Sequence, residues 1–353
     1  MPDRLPCPPA HRAPEGSSPA RSGRLAPQAA LYGRDRPLPA LAPCVHYAGS
    51  ERFIAKALAL QGERRLNFDV AADCEDGAPV GGEREHARMI ARLIAGDGNR
   101  CDRAGARIHD LSHPAWRDDL EILVGECGDR LAFLTLPKAE SADDVLRFAD
   151  AVALGVARRG LGREIPLAVM IETHGAVHDA WRIAAVPGLV SLDFGTLDFV
   201  SAHHGAIPAA AMESPGQFDH PLLRRAKCET AAAALAHAVV PAHGVTRALD
   251  DPQAVFEDAR RARQEFGFLR MWSIHPSQIE PIVRAMQPSP AEISEAAAVL
   301  AAAQAADWAP LAAAGKLHDR GSYRYFWSVL QRAHAAGSAL PESAAGYFDA
   351  THD

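Results

Sequence analysis

The sequence predicts a (β/α)8 TIM barrel with a C-terminal helical extension, and three observations support this. Short apolar runs alternate with amphipathic stretches from residue 39 onwards, and eight such pairs occupy about 245 residues, a length that suits this barrel. The alternation of strand and helix favours a parallel sheet. No G-x-G-x-x-G segment opens the first unit, which disfavours the alternative, an open doubly wound sheet that binds a dinucleotide.

The predicted strands are the short apolar runs, and the predicted helices are the stretches between them. The strands are expected at residues 42–47, 65–71, 105–110, 130–136, 166–171, 189–194, 239–241 and 268–272. The helices are expected at residues 51–61, 83–95, 115–127, 142–156, 176–185, 222–238, 252–266 and 276–286. Ser141 predicts a helix start because Asp143 and Asp144 follow it, which places negative charge at the positive end of the helix dipole. Asp251 followed by Pro252 predicts another, because proline suits the first helical turn.

The chain is expected to have three parts: a flexible N-terminal arm at 1–38, the barrel at 39–289 and the helical extension at 290–353. The arm is rich in Pro, Arg, Gly and Ser and lacks periodicity. It therefore cannot bury enough apolar area to offset the entropy lost on ordering. A solvated tail is the favoured interpretation, and phosphate binding by its arginines is the alternative.

Charge and hydropathy exclude several function classes. The 44 acidic residues outnumber the 37 Lys and Arg, which gives a formal net charge of −7 and disfavours a nucleic-acid groove. No run of about 18 uninterrupted apolar residues occurs, so no membrane span is expected. The six cysteines form no C-x-x-C pair, and we expect reduced thiols in a cytoplasmic protein.

Chemistry in such a barrel gathers at the carboxyl ends of the strands. The second predicted strand leads into Asp73, Glu75 and Asp76, whose like charges raise one another's pKa unless a cation offsets them. A solvated turn with a helix cap is the alternative. The third predicted strand carries Arg107, which suits a bidentate grip on a carboxylate or oxyanion. For Arg107 the alternative is a salt bridge at the rim to the acids just named.

Lys138 follows the fourth predicted strand and has two interpretations. It could form a Schiff base, which would make the protein a class I aldolase. It could equally be the positive charge that holds the acidic cluster in place. The second interpretation is favoured, because the next two strand ends provide a metal explanation for the acids.

Glu172 and Asp198 follow the fifth and sixth predicted strands. Two carboxylates at neighbouring strand ends suit Mg²⁺, which takes few protein carboxylates and leaves positions open for water and substrate oxygens. Gly195, between the sixth strand and Asp198, would allow a close backbone approach. Pairing of Glu172 with Arg107 or Lys138, without a metal, is the alternative.

Five segments in order resemble motifs of the citrate lyase beta-subunit-like aldolases of the HpcH/HpaI superfamily. They are D-x-E-D-[AG] at 73–77, [LV]-P-K-x-E-S at 136–141, I-E-T at 171–173, F-G-x-x-D at 194–198 and I-H-P-x-Q-I at 274–279. One such motif would be weak, but five in the family's order form a strong signal over residues 40–335.

The resemblance implies a (β/α)8 barrel and a Mg²⁺-dependent carbon–carbon lyase, or its reverse condensation. Such enzymes commonly act on 3-hydroxyacyl-CoA thioesters such as malyl-CoA or citramalyl-CoA, and they release a 2-oxo acid and an acyl-CoA. Glu172 and Asp198 match the metal carboxylates of the family. Arg107 matches the arginine that faces the oxo-acid oxygen.

The resemblance also assigns supporting roles. Glu75 and Asp76 match acids around the metal site, and Lys138 and Glu140 are expected to support them. Asp319, in a segment similar to the family's G-K-x-x-D stretch, is the candidate acid that protonates the enolate. In relatives this acid often comes from a neighbouring subunit. Because relatives assemble as trimers or hexamers, a homo-oligomer of this kind is expected.

The chain departs from the family pattern at three places: residues 42–47 lack the usual Arg before Val-Pro, residues 241–244 replace an Ile/Val-Asp pair, and aromatic residues cluster at 323–327. These departures indicate a divergent subgroup, and a substrate with another handle than CoA is therefore an alternative to the acyl-CoA. One alternative is a class II aldolase that acts on free 2-oxo acids. That branch has D-x-E-H after the second strand, and Asp76 replaces its histidine here. A non-catalytic barrel subunit is the other alternative.

Overall fold

A computed structural model describes residues 25–32, 38–64 and 66–348. The chain divides into two compact units. The first contains Leu41–Met286, and the second contains the described residues of His11–Ala40 and Gln287–Asp353.

The first unit is a closed barrel of eight parallel strands, which confirms the predicted fold class. The strands are β1 (Cys44–Ala48), β2 (Phe68–Asp73), β3 (Ala104–Arg107), β4 (Leu134–Leu136), β5 (Leu167–Ile171), β6 (Leu189–Phe194), β7 (Val240–His243) and β8 (Arg270–Ser273). Each pairs with its sequence neighbours, and β1 pairs with β8 to close the ring. In this register Asp73 lies opposite Arg107, so two predicted site residues meet at one end of the barrel.

Helices follow the strands around the outside of the barrel. They span Glu51–Arg64, Glu83–Ala95, Trp116–Cys127, Ala142–Arg159, His174–His178, Ala180–Ala184, Thr196–Ser201, Gly216–Asp219, Pro221–Ala236, Pro252–Phe266 and Pro276–Met286, with a 3-10 turn at Ala209–Met212. Both predicted caps are confirmed: Ser141 accepts a hydrogen bond from the N–H of Asp144, and Asp251 caps the helix that begins at Pro252.

The single helix predicted at 176–185 is wrong, because the chain forms two short helices that meet at Asp179. The Asp179 carboxylate accepts a hydrogen bond of 2.7 Å from the N–H of Ala142, a group at a helix start that has no partner within its own helix. This tertiary contact fixes the break, and a sequence pattern cannot show it.

The barrel core has two layers, because successive strand residues point to opposite faces. The inner layer is small and contains Val45, Tyr47, Ala71, Ala132, Phe133, Met170, Ala242 and Trp272. A much larger cluster fills the space between strands and helices. The inner layer therefore leaves room for polar side chains at the strand ends.

The second unit is built from helices Pro27–Leu31, Pro290–Ala305, Arg320–Ala335 and Glu342–Ala345 and a hairpin of β9 (Leu311–Ala313) with β10 (Lys316–His318). The hairpin was not predicted. Its turn needs two residues with positive φ, Ala314 at 48° and Gly315 at 74°, and only the glycine signals this in the sequence. Tyr323, Phe326 and Trp327 are buried in the core of this unit.

Part of the predicted flexible arm has a defined structure. Residues 27–31 form a short helix, and Ala30 and Leu31 are buried in the core of the second unit with Leu300 and Leu330. The rest of the predicted arm, residues 1–24 and 33–37, lies outside the described residues.

Two further expectations concern membranes and thiols. No helix in the described part of the chain is both long and apolar enough to cross a bilayer. Cys44, Cys74, Cys127 and Cys228 are free thiols in the described part of the chain. The expectation of reduced thiols stays a prediction for the other two cysteines.

Candidate active site

The turn after β2 is organised by the carboxylate of Asp73. Its Oδ1 accepts the N–H of Glu75 at 3.0 Å, and its Oδ2 accepts the N–H of Gly77 at 2.9 Å. A Cβ at Gly77 would lie 2.5 Å from Asp73 Oδ2, so the turn closes this tightly only with glycine there. The buried Asp73 thus fixes the backbone that carries Glu75 and Asp76.

Arg107, at the end of β3, is held by two of these acids. Its Nε and Nη2 lie 2.8 and 2.6 Å from the two oxygens of Asp73, and its Nη1 lies 2.8 Å from Glu75 Oε2. Burial alone would raise the pKa of Asp73, but the charge and hydrogen bonds of Arg107 outweigh it and lower that pKa. The structure therefore shows the salt bridge that the sequence left as the alternative, although it is buried. A ligand contact by Arg107 stays a prediction.

Lys138 joins two more carboxylates, those of Asp76 and Asp198, to the group. It has a positive φ of 49°, and its Nζ forms an ion pair with Glu75, lies 3.2 Å from Asp76 and 3.9 Å from Asp198. Burial alone would lower the pKa of Lys138, but its bond to Glu75 and the charges of these acids raise it. A lysine held in its charged form is a poor Schiff-base nucleophile, which favours the role of holding the acids.

Glu172 follows β5 and is 1% exposed. Its Oε1 accepts the N–H of Lys138 at 2.8 Å, whereas its Oε2 has no hydrogen-bond partner among the described residues. Oε2 instead packs against Gly195, where a Cβ would lie only 2.1 Å away. Burial and the nearby charge of Asp198 raise the pKa of Glu172 to about 8.

Asp198 lies in the first turn of helix Thr196–Ser201, just after Gly195, and its side chain is 36% exposed. Lys138 connects it to Glu172, because the lysine N–H binds Glu172 and the lysine Nζ approaches Asp198. The two carboxylates predicted to share a metal are therefore neighbours, one buried and one open to solvent.

This pair fits Mg²⁺ on an observation independent of the sequence motifs. A buried carboxylate oxygen without a partner costs free energy, and a hard cation would satisfy it. Within the described residues no three His, Cys, Asp or Glu side chains converge to enclose a metal by themselves. Mg²⁺ usually binds through one or two carboxylates and keeps other positions for water and ligand oxygens, so two are enough.

Seven side chains are thus brought together: Asp73, Glu75, Asp76, Arg107, Lys138, Glu172 and Asp198. Glu140 is exposed, and its backbone N–H donates to Asp144 Oδ2 at 3.1 Å, so its supporting role stays a prediction. Asp319 lies in the second unit, where its carboxylate caps helix Arg320–Ala335 through the N–H groups of Gly321 and Ser322. Its role as acid also stays a prediction.

Sequence reasoning missed Tyr47 as a neighbour of the site. Its ring lies 5.4 Å from the guanidinium carbon of Arg107 and 4.5 Å from the ring of Trp272, on the inner face of the barrel. Burial raises its pKa, and its hydroxyl has no hydrogen-bond partner in the described part of the chain. Strand alternation along 44–48 could have assigned Tyr47 to the inner face, but not to Arg107.

Comparisons with known proteins identify the family of this chain. A sequence model of the family described as HpcH/HpaI aldolase/citrate lyase matches residues 64–276. A citrate lyase from Burkholderia xenovorans LB400, known from a crystal structure, is 47% identical in sequence to this chain. The match covers 92% of this chain and 100% of that chain, with a TM-score of 0.83.

Two more distant proteins are similar. L-malyl-CoA/beta-methylmalyl-CoA lyase of Cereibacter sphaeroides is 28% identical over 277 residues in one strain, which are 73% of this chain and 82% of that enzyme. In another strain the match spans 217 residues, 57% of this chain and 65% of that enzyme. A Mycobacterium tuberculosis protein in complex with magnesium, acetoacetate and coenzyme A shares the fold, with a TM-score of 0.66 and 24% identity over 83% of this chain and 98% of that chain.

Proposed function

The chain belongs to the HpcH/HpaI aldolase/citrate lyase family, and we propose that it is a Mg²⁺-dependent lyase of 3-hydroxyacyl-CoA thioesters. Malyl-CoA and citramalyl-CoA are the model substrates, and the products are a 2-oxo acid and an acyl-CoA. The named lyases among the relatives support the reaction class. The observation that carries the metal assignment is the buried, partnerless Oε2 of Glu172 beside Asp198.

Glu172 and Asp198 would hold the ion, and the charge balance around them favours a cation. Five carboxylates (Asp73, Glu75, Asp76, Glu172, Asp198) face two cationic side chains (Arg107, Lys138), so the fully ionised group has a net charge of 2 − 5 = −3. Burial raises the pKa of Glu75 even though Arg107 and Lys138 lie beside it. When bound, Mg²⁺ supplies a Lewis acid for the substrate oxygens.

The protein's own groups serve the cleavage in two ways. Arg107 lowers the pKa of Asp73 and so keeps that acid ionised, and Arg107 and Lys138 would place positive charge beside the 3-hydroxyl oxygen as it loses its proton. Breaking the carbon–carbon bond leaves an enolate on the acyl fragment, which the thioester makes accessible and which an acid must protonate. We assign this proton transfer to the exposed Asp319 of a neighbouring copy in a homo-oligomer.

The test is a coupled assay of 2-oxo acid release from malyl-CoA and citramalyl-CoA, with Mg²⁺ and with a chelator. Cleavage should require Mg²⁺, and Glu172→Ala and Asp198→Ala should each abolish it. Glu265→Ala, which removes an exposed ion pair with Arg261 in the last turn of helix Pro252–Phe266, is the matched control and should remain active. Cleavage without a divalent cation, or activity in either alanine variant, would refute the metal assignment. Activity on free 2-oxo acids alone would instead support the class II aldolase.

A further inference from the structure

The end of β7 packs directly against the turn that carries Asp198. Gly244 follows β7, and a Cβ built on it would lie 2.5 Å from the carbonyl oxygen of Phe194 and 3.1 Å from Thr196 Oγ1. Real Cβ atoms do not approach backbone oxygens so closely, so there is no free space between Gly244 and the turn at 194–196. The position of Gly244 therefore sets the position of this turn.

The other side of the same turn packs against Glu172. A Cβ on Gly195 would lie 2.1 Å from Glu172 Oε2, and Asp198 follows within one helical turn. The N–H of Gly195 also donates to the carbonyl of Ile171 at 3.2 Å, next to Glu172. Two glycine contacts thus connect the end of β7 with both carboxylates of the proposed metal site.

The backbone of Gly244 is in turn held by His243. The His243 ring is fully buried, stacks on Phe218 at 5.3 Å and meets the edge of Phe268 at 5.1 Å. Its Nδ1 lies 3.0 Å from the carbonyl oxygen of Gly244. Because a carbonyl only accepts hydrogen bonds, Nδ1 carries the hydrogen in this contact.

The other ring nitrogen of His243, Nε2, has no partner within the described residues. Burial and the neighbouring Lys227 lower the pKa of His243, which keeps the ring neutral. Lys227 itself is fully buried, donates to the carbonyl of Gln217 at 2.7 Å and lies 4.2 Å from the ring centre of Phe218. The aromatic surroundings and the single N–H donor therefore fix one orientation of the imidazole.

We propose that His243 is a positioning residue for the Glu172–Asp198 pair, acting through Gly244. Its Nδ1–H holds the Gly244 carbonyl, Gly244 supports the turn at 194–196, and the turn sets the separation of the two carboxylates. This inference rests on the proposed function in one respect, namely that the Glu172–Asp198 pair binds Mg²⁺. It assigns a role to His243 and Gly244, which lie in the segment 241–244 that departs from the family pattern.

Two substitutions separate this role from simple packing. In His243→Asn the amide nitrogen takes the place of Nδ1, so the donor is kept while ring contacts are lost. In His243→Leu the side chain fills a similar volume without a donor and removes the partnerless Nε2. We expect the midpoint of thermal unfolding to fall in His243→Asn and to stay near the wild-type value in His243→Leu. Mg²⁺ affinity should show the opposite order, near wild type in His243→Asn and about tenfold weaker in His243→Leu, as for other supporting groups around metals.

Amide hydrogen exchange of residues 194–200 in metal-free protein gives a readout independent of the lyase. Exchange should be faster in His243→Leu and unchanged in His243→Asn. If the wild type binds no Mg²⁺, the proposed function fails, while the exchange rates still decide the role of His243. The proposal would be overturned if His243→Leu had the same amide exchange at residues 194–200 and the same Mg²⁺ affinity as the wild type. The proposal would also be overturned if the changes in Mg²⁺ affinity and amide exchange in the two variants simply followed the changes in their thermal stability.

Discussion

Two Asp–Arg pairs, each separated by 34 residues in sequence, lie at opposite ends of β2 and β3, and only one belongs to the candidate site. In the first pair Asp69 lies between two buried arginines, with Arg103 Nε at 2.9 Å and Arg270 Nη2 at 2.5 Å. In the second pair Arg107 lies between two carboxylates, Asp73 and Glu75. The same Asp–Arg pair therefore occurs once in a cluster with excess positive charge and once in a cluster with excess negative charge.

The comparison shows what makes an ion pair functional in this barrel. Each oxygen of Asp69 is bound to a buried arginine, so this cluster already contains more positive than negative charge. At the other end, Lys138 extends the acidic group to Glu172 and Asp198, where a buried oxygen is left without a partner. In such barrels the carboxyl ends of the strands usually carry function and the amino ends stability, which fits the site proposed at one end and the ion pair at the other.

The largest expected effect is at the structural pair. Asp69→Ala would leave Arg103 and Arg270 buried with their shared carboxylate removed. We expect the free energy of unfolding to fall by about 3–5 kcal/mol, as when one partner of a buried ion pair is removed. Urea denaturation measures this change. Activity per folded molecule should stay close to that of the wild type, and a selective loss of turnover would remove the distinction between the two clusters.

An intermediate effect is expected for Glu172→Gln in metal-free protein. Folding raises the pKa of Glu172 from its ordinary 4.5 to about 8, so the folded state holds this proton more tightly than the unfolded state. Stability should therefore decrease as the pH rises from about 4.5 to 8, and the glutamine variant should lack this decrease. At pH 9 we expect the variant to be more stable by about 1–3 kcal/mol, the usual cost of a buried partnerless polar group. Glu140→Gln, at an exposed acid, is the control, and an identical pH profile for all three proteins would contradict the burial argument.

The smallest effect is expected for Asp76→Asn. The Asp76 side chain is 56% exposed and lies 3.2 Å from Lys138, so solvent screens this ion pair. The free energy of unfolding should change by less than about 1 kcal/mol, which chemical denaturation can determine. A loss as large as that of Asp69→Ala would mean that the open end of the barrel depends on its acids for stability.

The sequence predicted the elements better than the contacts. All eight strands were located, and Glu172 and Asp198 were placed at adjacent strand ends, because apolar runs and their polar termini are local patterns. The partner of Arg107 was left open, since it depends on the register of β2 against β3. The third strand ends earlier than predicted because the N–H of His109 donates to Asp119 and leaves the sheet. The partnerless oxygen of Glu172 depends on Gly195 packing against it, which spacing alone does not show.

Proton-linked calorimetry of Mg²⁺ binding tests the central claim most directly. The substrate-free protein is titrated at pH 7 in two buffers with different ionisation enthalpies. With a Glu172 pKa of about 8 the carboxyl is protonated before binding, so each Mg²⁺ should release about one proton. Glu172→Gln should neither bind Mg²⁺ with wild-type affinity nor release a proton. Wild-type affinity in that variant, or binding to the wild type without proton release, would contradict the account.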